Sequence, residues 1–515
     1  MQRSARVLLF AGAFFASICL AQVSPISGFT VTRFVVEGDN PLSERETEVT
    51  LAPFVGELHD FKDLRAASQA LQERLYERGY RSHRVIIPEQ TLHDGIVKLR
   101  VIAFRVGDIQ VEGNKYFSTA NILSSLPALE QGKSPDTNAL SRQLMLANDN
   151  PAKSLDVTFR EGDQPRSIDA LVAVQDYRPA SVFASFNNYS SIDTPNTRLI
   201  AGLQHSNLFN LDHVLTATAT RSPGHWSDVK QYGADYRIPL YRLSGDVNIY
   251  YIYSDVDSGR VAGDFDVSGK GRFFGAGYKQ RLTRVGTYSH TAAIKIEDNL
   301  FENETRFAGT PIGTDVRSRP ISLRYDGDYR FRNGITGFYI TYEHNLSGGS
   351  DNNDKAYTAN RFGASKDWDA WQFGSTLHYL IARGWYLDGR LEVQYSNDPL
   401  IPGEQFGVGG AYSVRGYHER IVAGDSGVAA SVEVWTPSLW YGVHAIGFVD
   451  GGHTWINDRL PGETGSEDLY SVGAGLRWFW RRYLSLQLDV AQTLSDAGED
   501  DAGTTRVLFN VVARY

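Results

Sequence analysis

The chain has 515 residues, more than one ordinary domain accommodates, so two or three folding units are expected. A formal net charge of −9 argues against nucleic acid as a main partner. Beyond Leu20 no apolar run reaches 18 residues, which excludes a helical membrane protein. The 12% aromatic content, the 49 glycines and the mean hydropathy of −0.31 suit a transmembrane β-barrel instead, because only every second strand residue of a barrel meets lipid.

The N-terminus opens with Met1-Gln2-Arg3-Ser4-Ala5-Arg6, followed by an apolar run from Val7 to Leu20. A basic start before an apolar stretch too short to span a bilayer reads as an export signal over residues 1–21. Small residues, Cys19 and Ala21, precede the expected cut. Ile18 stands before Cys19, where a lipoprotein signal wants a small residue, so no lipid anchor is expected. Cys19 is the only cysteine, and cleavage would leave a mature chain that cannot rely on disulfides.

Residues 22–176 read as two α+β modules, 22–103 and 104–176. Phe61, Leu64, Ala67, Leu71 and Leu75 form a helical stripe that Gly79 can end. Strands at 29–36 and 97–102 flank it. Val36-Glu37-Gly38 recurs as Val111-Glu112-Gly113, each time closing a strand ahead of a polar turn and a helical segment. The second copy continues with helical stretches near 118–127 and 137–147 and strands at 155–159 and 168–174. A repeat this long indicates tandem modules rather than a solenoid.

From about Ser181 the pattern changes to strands that alternate cleanly, in a unit spanning 177–515. Leu387, Gly389, Leu391, Val393 and Tyr395 share one face, and Asp388, Arg390, Glu392 and Gln394 the other. A soluble sandwich alternates too, but such repetition over this length, with its aromatics, favours lipid outside and water inside. Of 17 strand candidates the weakest, 358–366, is assigned to a loop, because a bacterial barrel with both ends in the periplasm needs an even number. The 16 remaining strands start near 181, 197, 212, 229, 243, 270, 287, 319, 335, 371, 386, 427, 442, 470, 483 and 505. Short turns such as Arg332-Asn333-Gly334 then fall at one end, and the long loops 255–269, 299–318, 347–370, 397–426 and 453–469 at the other. The last strand carries Val507, Phe509, Val511, Ala513 and Tyr515 on one face, which resembles the C-terminal assembly signal of outer-membrane barrels, with Phe509 and Tyr515 its aromatic positions.

Three motifs stand in the back half: Val414-Arg415-Gly416-Tyr417 in the loop between strands 11 and 12, Phe448-Val449-Asp450-Gly451-Gly452 on strand 13, and Gly473-Ala474-Gly475-Leu476-Arg477 on strand 14. The first module adds Arg78-Gly79-Tyr80, Ile87-Pro88-Glu89-Gln90 and Asp94-Gly95. Together these resemble the two-partner secretion transporters, the family of haemolysin and filamentous-haemagglutinin exporters within the superfamily of POTRA-bearing outer-membrane barrels. The resemblance spans essentially the whole mature chain. It implies a transmembrane β-barrel of 16 antiparallel strands in the outer membrane, preceded by two small α+β POTRA domains in the periplasm.

The resemblance also implies a function: secretion of a large, unfolded partner exoprotein that docks on the POTRA domains. Outer-membrane lipid and the barrel assembly machinery would be its other partners. In the family the long loop folds back into the barrel, which predicts a contact between Arg415 and Asp450. Strand parity puts Phe448, Asp450 and Gly452 on one face, the lumen. Gly416 would permit close backbone packing and Gly452 would leave room on the wall. A wet lumen would make the ion pair a positional latch worth little energy. Residues 22–28 leave no length for the plugging helix of some family members, so the loop would be the main obstruction. Gly424-Asp425-Ser426-Gly427 looks like a serine-protease context but has no placed His/Asp partners, and reads as chance. With no metal spacing among the 12 histidines and no P-loop or dinucleotide fingerprint, neither an enzyme nor a metal or other cofactor is expected. The alternatives are an assembly factor of the same superfamily and, less favoured, a passive porin, which needs no periplasmic modules.

Overall fold

The computed structural model describes residues 29–515 except 59–60, 193, 257–258, 262–264, 268–269, 304–305, 308–309 and 312–313. The expected export signal and the segment 22–28 lie outside the described residues. The chain divides into two compact units, Met1–Phe104 and Arg105–Tyr515.

In the first unit, strands β1 (Arg33–Gly38), β2 (His83–Ile86) and β3 (Ile96–Ala103) form a sheet with β3 in the centre, parallel to β1 and antiparallel to β2. Helices α1 (Glu44–Leu51) and α2 (Phe61–Glu77) cover it. Four residues of the stripe read from the sequence, Leu64, Ala67, Leu71 and Leu75, are buried on α2, and three of them join Leu99 and Val101 of β3 in one core; Phe61, at the first turn, stays exposed. Helix α1 was not legible as a stripe. It buries only Thr47 and Leu51, and its start is set by Ser43, whose side chain caps the Glu46 amide.

The second unit begins with the same topology. Strands β4 (Arg105–Glu112), β5 (Lys153–Glu161) and β6 (Ser167–Asp176) form a sheet centred on β6, with helices α3 (Thr119–Ser124) and α4 (Thr137–Asn148). The repeated Val-Glu-Gly has a common physical cause. Gly38 and Gly113 both adopt positive φ, at 90° and 92°. A Cβ on either would lie 2.4 Å from the Val101 carbonyl oxygen or 2.3 Å from that of Val174. Only glycine lets the end of the outer strand cross its neighbour so closely.

The remaining strands, from β7 (Ala180–Asn187) to β22 (Thr505–Arg514), close a barrel of 16 antiparallel strands. The eighth of them is interrupted, running as Val316–Ser318 and Pro320–Phe331. The segment 358–366, left to a loop above, begins in the short helix α5 (Asp354–Asn360). At the seam, β22 pairs with β7 from Asn510↔Asn187 to Arg514↔Phe183, and Val182 and Tyr515 exchange two backbone hydrogen bonds of 2.9 Å. Tyr515 therefore ends the sheet through its backbone while its side chain stays 80% exposed. Phe509 packs against Phe186 across the same seam, with centroids 5.4 Å apart and the rings tilted by 52°.

The second α+β domain sits against the short-turn end of the barrel. Lys153 is fully buried between Ser125, 2.8 Å away, and Asp212 in the turn after the second barrel strand. Tyr241 donates to the same Asp212 carboxylate at 2.6 Å. Burial lowers the Lys153 pKa, while Asp212 opposes the shift. Arg281 pairs with both Asp246 and Asp149, tying the end of α4 to the barrel rim.

Candidate functional site

The loop between β17 (Trp385–Tyr395) and β18 (Ser426–Trp435) carries the Val414–Tyr417 motif. Its stem is a small hairpin, Phe406–Val408 paired with Val422–Gly424. Gly409 and Gly410, with φ of 115° and 98°, turn the chain out of that hairpin. At Gly410 a Cβ would strike the Glu419 carboxylate at 2.2 Å, and that carboxylate accepts the Ala411 amide at 2.8 Å. The loop thus folds on itself before it meets the wall.

The loop reaches strand β19 (Val443–Trp455) through Arg415. Its Nε donates to Asp450 Oδ2 and its Nη2 to Asp450 Oδ1, both at 2.7 Å, and its own backbone amide adds a third bond to Oδ2 at 3.1 Å. This two-pronged geometry is the one lysine cannot copy. Nη1 donates to Glu433 Oε1 at 2.6 Å, and Nη2 also reaches Ser431 Oγ at 3.0 Å. Ser431 in turn donates to Asp450 at 2.7 Å. The guanidinium carbon lies 3.4 Å from the Phe448 ring centroid, so the ring face adds a cation–π contact.

Both glycines of the wall and loop are used. A Cβ on Gly452 would lie 2.5 Å from Val408 and 3.1 Å from Val414. Gly416 has φ 96°, and a Cβ there would press on Thr493 and Ala491 at 3.3 and 3.4 Å. On β20 (Ser466–Trp480) the Gly-x-Gly run has a similar purpose. Gly473 makes room for the Phe448 ring and Gly475 for the Asp489 carboxylate, each of which would overlap an added Cβ. Arg477 closes the cluster by forking onto Asp489, its Nη2 3.0 Å from Oδ2.

The pair is not wet. Arg415 is 4% exposed and Asp450 1%, which corrects the expectation of a solvated latch. Water is excluded because Val408, Val414, Tyr417 and Val422 of the loop form a buried apolar cluster with Ala429, Leu469 and Ala497 of the barrel side. Tyr417 also places its hydroxyl 2.8 Å from the Ser495 carbonyl and 3.0 Å from that of Tyr470. His418 donates its amide to Asp500 at 2.8 Å. Below the loop, Tyr412 borders a lumen cavity of about 970 Å³ lined by charged side chains that include Asp235, Arg237, Lys279 and Arg281, with Asp149 of the second α+β domain at its edge.

The residues singled out in the sequence fall into two groups. Val414, Arg415, Gly416, Tyr417, Phe448, Asp450 and Gly452 converge on one place, whereas Phe509 and Tyr515 lie at the seam. Sequence reading did not assign Ser431, Glu433 or Asp489 to the cluster. The signal for Ser431 and Glu433 was a polar residue at lumen parity on a strand flanking that of Asp450, and for Asp489 one strand further on; using it requires the register, in which Ser431 faces Asp450, Glu433 faces Phe448 and Asp489 faces Gly475.

A family model for the haemolysin secretion/activation proteins ShlB/FhaC/HecB matches residues 167–478, more than half of the chain. A model for the ShlB-type POTRA domain matches residues 29–103. The outer membrane transporter CdiB of Escherichia coli is 25% identical over 475 residues, which is 87% of this chain and 76% of CdiB. The heme/hemopexin transporter protein HuxB of Haemophilus influenzae is 19% identical over 461 residues, 87% of this chain and 80% of HuxB. The solved structure of CdiB from Escherichia coli superposes with a TM-score of 0.78 at 19% identity, covering 97% of this chain and 92% of its own, a likeness of fold.

Proposed function

We propose a gated export mechanism from one premise: the chain belongs to the haemolysin secretion/activation protein family ShlB/FhaC/HecB. It is an outer-membrane transporter of the two-partner secretion type, and its first α+β domain is a POTRA domain. In the proposed mechanism, residues 1–21 are removed after export of the chain. The modules 22–103 and 104–176 then stand in the periplasm as two POTRA domains, and the barrel 177–515 crosses the membrane. Outward-facing residues of the barrel meet lipid, and Phe509 and Tyr515 present the strand that the barrel assembly machinery recognises. The cargo is a large exoprotein, of the adhesin or haemolysin kind, that arrives unfolded.

Docking by strand addition has a structural basis in the first domain. The outer edge of β2 is occupied by a side chain: Gln72 donates to the His83 carbonyl and accepts from the Val85 amide, both at 2.8 Å. A primary amide there does what a neighbouring peptide group would do. An incoming extended segment replaces those two bonds in kind. The cargo then threads the lumen once the Arg415 loop leaves Asp450. Transport of this kind needs no covalent step, and folding outside the cell supplies the drive.

The single observation that carries the gating reading is the buried fork of Arg415 on Asp450, which fastens a long loop to the barrel wall. Deleting the gene tests the function. Loss of one large secreted protein, with other outer-membrane barrels at normal levels, is the expected result. A general loss of outer-membrane barrels puts the assembly-factor reading in its place.

A further inference from the structure

The Gly424-Asp425-Ser426-Gly427 run, which looks like chance as a protease motif, has a different use. Asp425 is fully buried at the end of the loop that carries Arg415. Its carboxylate accepts from four residues on three other segments of chain. Arg361, just after α5, forks onto both oxygens, with Nη2 2.8 Å from Oδ2. The Leu400 amide donates to Oδ1 at 2.8 Å and the Gln405 side chain to the same oxygen at 3.2 Å. The Asn457 amide, in the loop between β19 and β20, donates to Oδ2 at 2.6 Å. A carboxylate removed from water needs such donors, and Arg361 adds its own bonds to the Leu400 carbonyl at 2.6 Å and the Asn457 carbonyl at 3.0 Å around it.

The placement of these donors matters more than their number. Leu400 and Gln405 lie on the incoming stem of the loop and Asp425 itself on the outgoing stem, so one carboxylate ties both stems together. The same carboxylate binds them to two neighbouring loops through Arg361 and Asn457. Close packing reinforces the tie. A Cβ on Gly424 would lie 2.6 Å from the Trp455 carbonyl oxygen, and one on Gly427 would lie 2.5 Å from the Phe406 ring. Beyond the hairpin, residues 409–420 are held to the walls by a separate set of contacts, those of Arg415, Tyr417 and His418.

We propose that Asp425 is the fixed pin of the gate: a positioning residue that keeps both stems in place while residues 409–420 swing away from Asp450. The proposal rests on the reading of this loop as the gate and adds where it turns. Releasing the tip breaks contacts of Arg415, Tyr417 and His418 and leaves the Asp425 set whole. The gate can then close again on the same register after each passage.

Spin-label distances in the exported, membrane-inserted protein, whose signal carries Cys19 away, test this with labels at introduced cysteines. One pair, Tyr412→Cys with the lipid-facing Leu323→Cys, reads the tip, and Pro402→Cys with Leu323→Cys reads the stem. In Arg415→Ala the tip distance should shift by more than about 10 Å, the reach of three extended residues. The stem distribution should stay as in the wild type. Asp425→Asn and, separately, Arg361→Gln should broaden the stem distribution, with folded barrel verified by its heat-modifiable migration on gels. Conductance in planar bilayers separates a pin from a general stabiliser. Arg415→Ala should open to one discrete level, and adding Asp425→Asn should replace that level with a graded spread. A stem that moves with the tip in Arg415→Ala overturns the proposal. So does a wild-type stem distribution in both Asp425→Asn and Arg361→Gln. A tip that stays in place in Arg415→Ala sinks the gate reading instead, while the Asp425→Asn arm still decides what holds the stems.

Discussion

Truncating Arg415 to alanine is the sharpest perturbation of the gate. The substitution removes two 2.7 Å charged hydrogen bonds to Asp450, one of 2.6 Å to Glu433 and the ring contact with Phe448. It leaves Asp450 with the Ser431 hydroxyl and the loop backbone amide as donors. Breaking one side of a buried ion pair costs about 3–5 kcal/mol. Water from the lumen can reach Asp450 once the loop lifts, so the lower end of about 3 kcal/mol applies, a shift of roughly two orders of magnitude in the closed-to-open ratio. Arg415→Lys keeps the charge but not the fork and should fall between wild type and alanine. In planar bilayers, Arg415→Ala should raise the open fraction about a hundredfold from a low wild-type level. In cells, it should abolish secretion of the partner while folded barrel accumulates normally. An open fraction within about twofold of wild type, roughly 0.4 kcal/mol, would refute the latch.

Other perturbations probe the remaining links. Gly452→Val drives a side chain into Val408 and Val414 and should cost about 1–3 kcal/mol in loop seating, read as raised conductance with an unchanged barrel melt. Lys153→Ala strands Asp212 without its ion-pair partner and should cost about 3–5 kcal/mol. The double variant Lys153→Met, Asp212→Asn should recover most of that loss, as read by protease resistance of the second α+β domain. Glu404, in the loop stem, is pushed up to about 8 by burial, with Glu343 adding to the shift. Its folded value lies above its ordinary 4.5, so its contribution to the seating of the stem is full below 4.5 and is lost as pH rises through about 8. The distance distribution of the stem pair, Pro402→Cys with Leu323→Cys, should therefore broaden between about pH 4.5 and pH 8, and Glu404→Gln should flatten that profile.

What was legible in the sequence was whatever depends on neighbours along the chain. Period-two alternation located the 16 barrel strands to within a few residues of their starts, because a strand between lipid and water must alternate whatever it pairs with. The stripe from Leu64 to Leu75 marked a buried helix face for the same kind of reason, and parity alone set Phe448, Asp450 and Gly452 on one side of their strand. Strand parity put Asp450 on the lumen side, and the family likeness supplied Arg415 as its partner. Neither could tell that the pair is dry. Dryness comes from Val408, Val414 and Tyr417 packing on Leu469 and Ala497, residues far apart in the chain that only barrel closure brings together. Ser431 and Glu433 joined the cluster through cross-strand register, which alternation leaves open by two residues at a time. The structural use of Asp425 was illegible for the same reason. Its donors come from three segments between Arg361 and Asn457, and no local pattern announces a carboxylate whose partners are assembled by the fold.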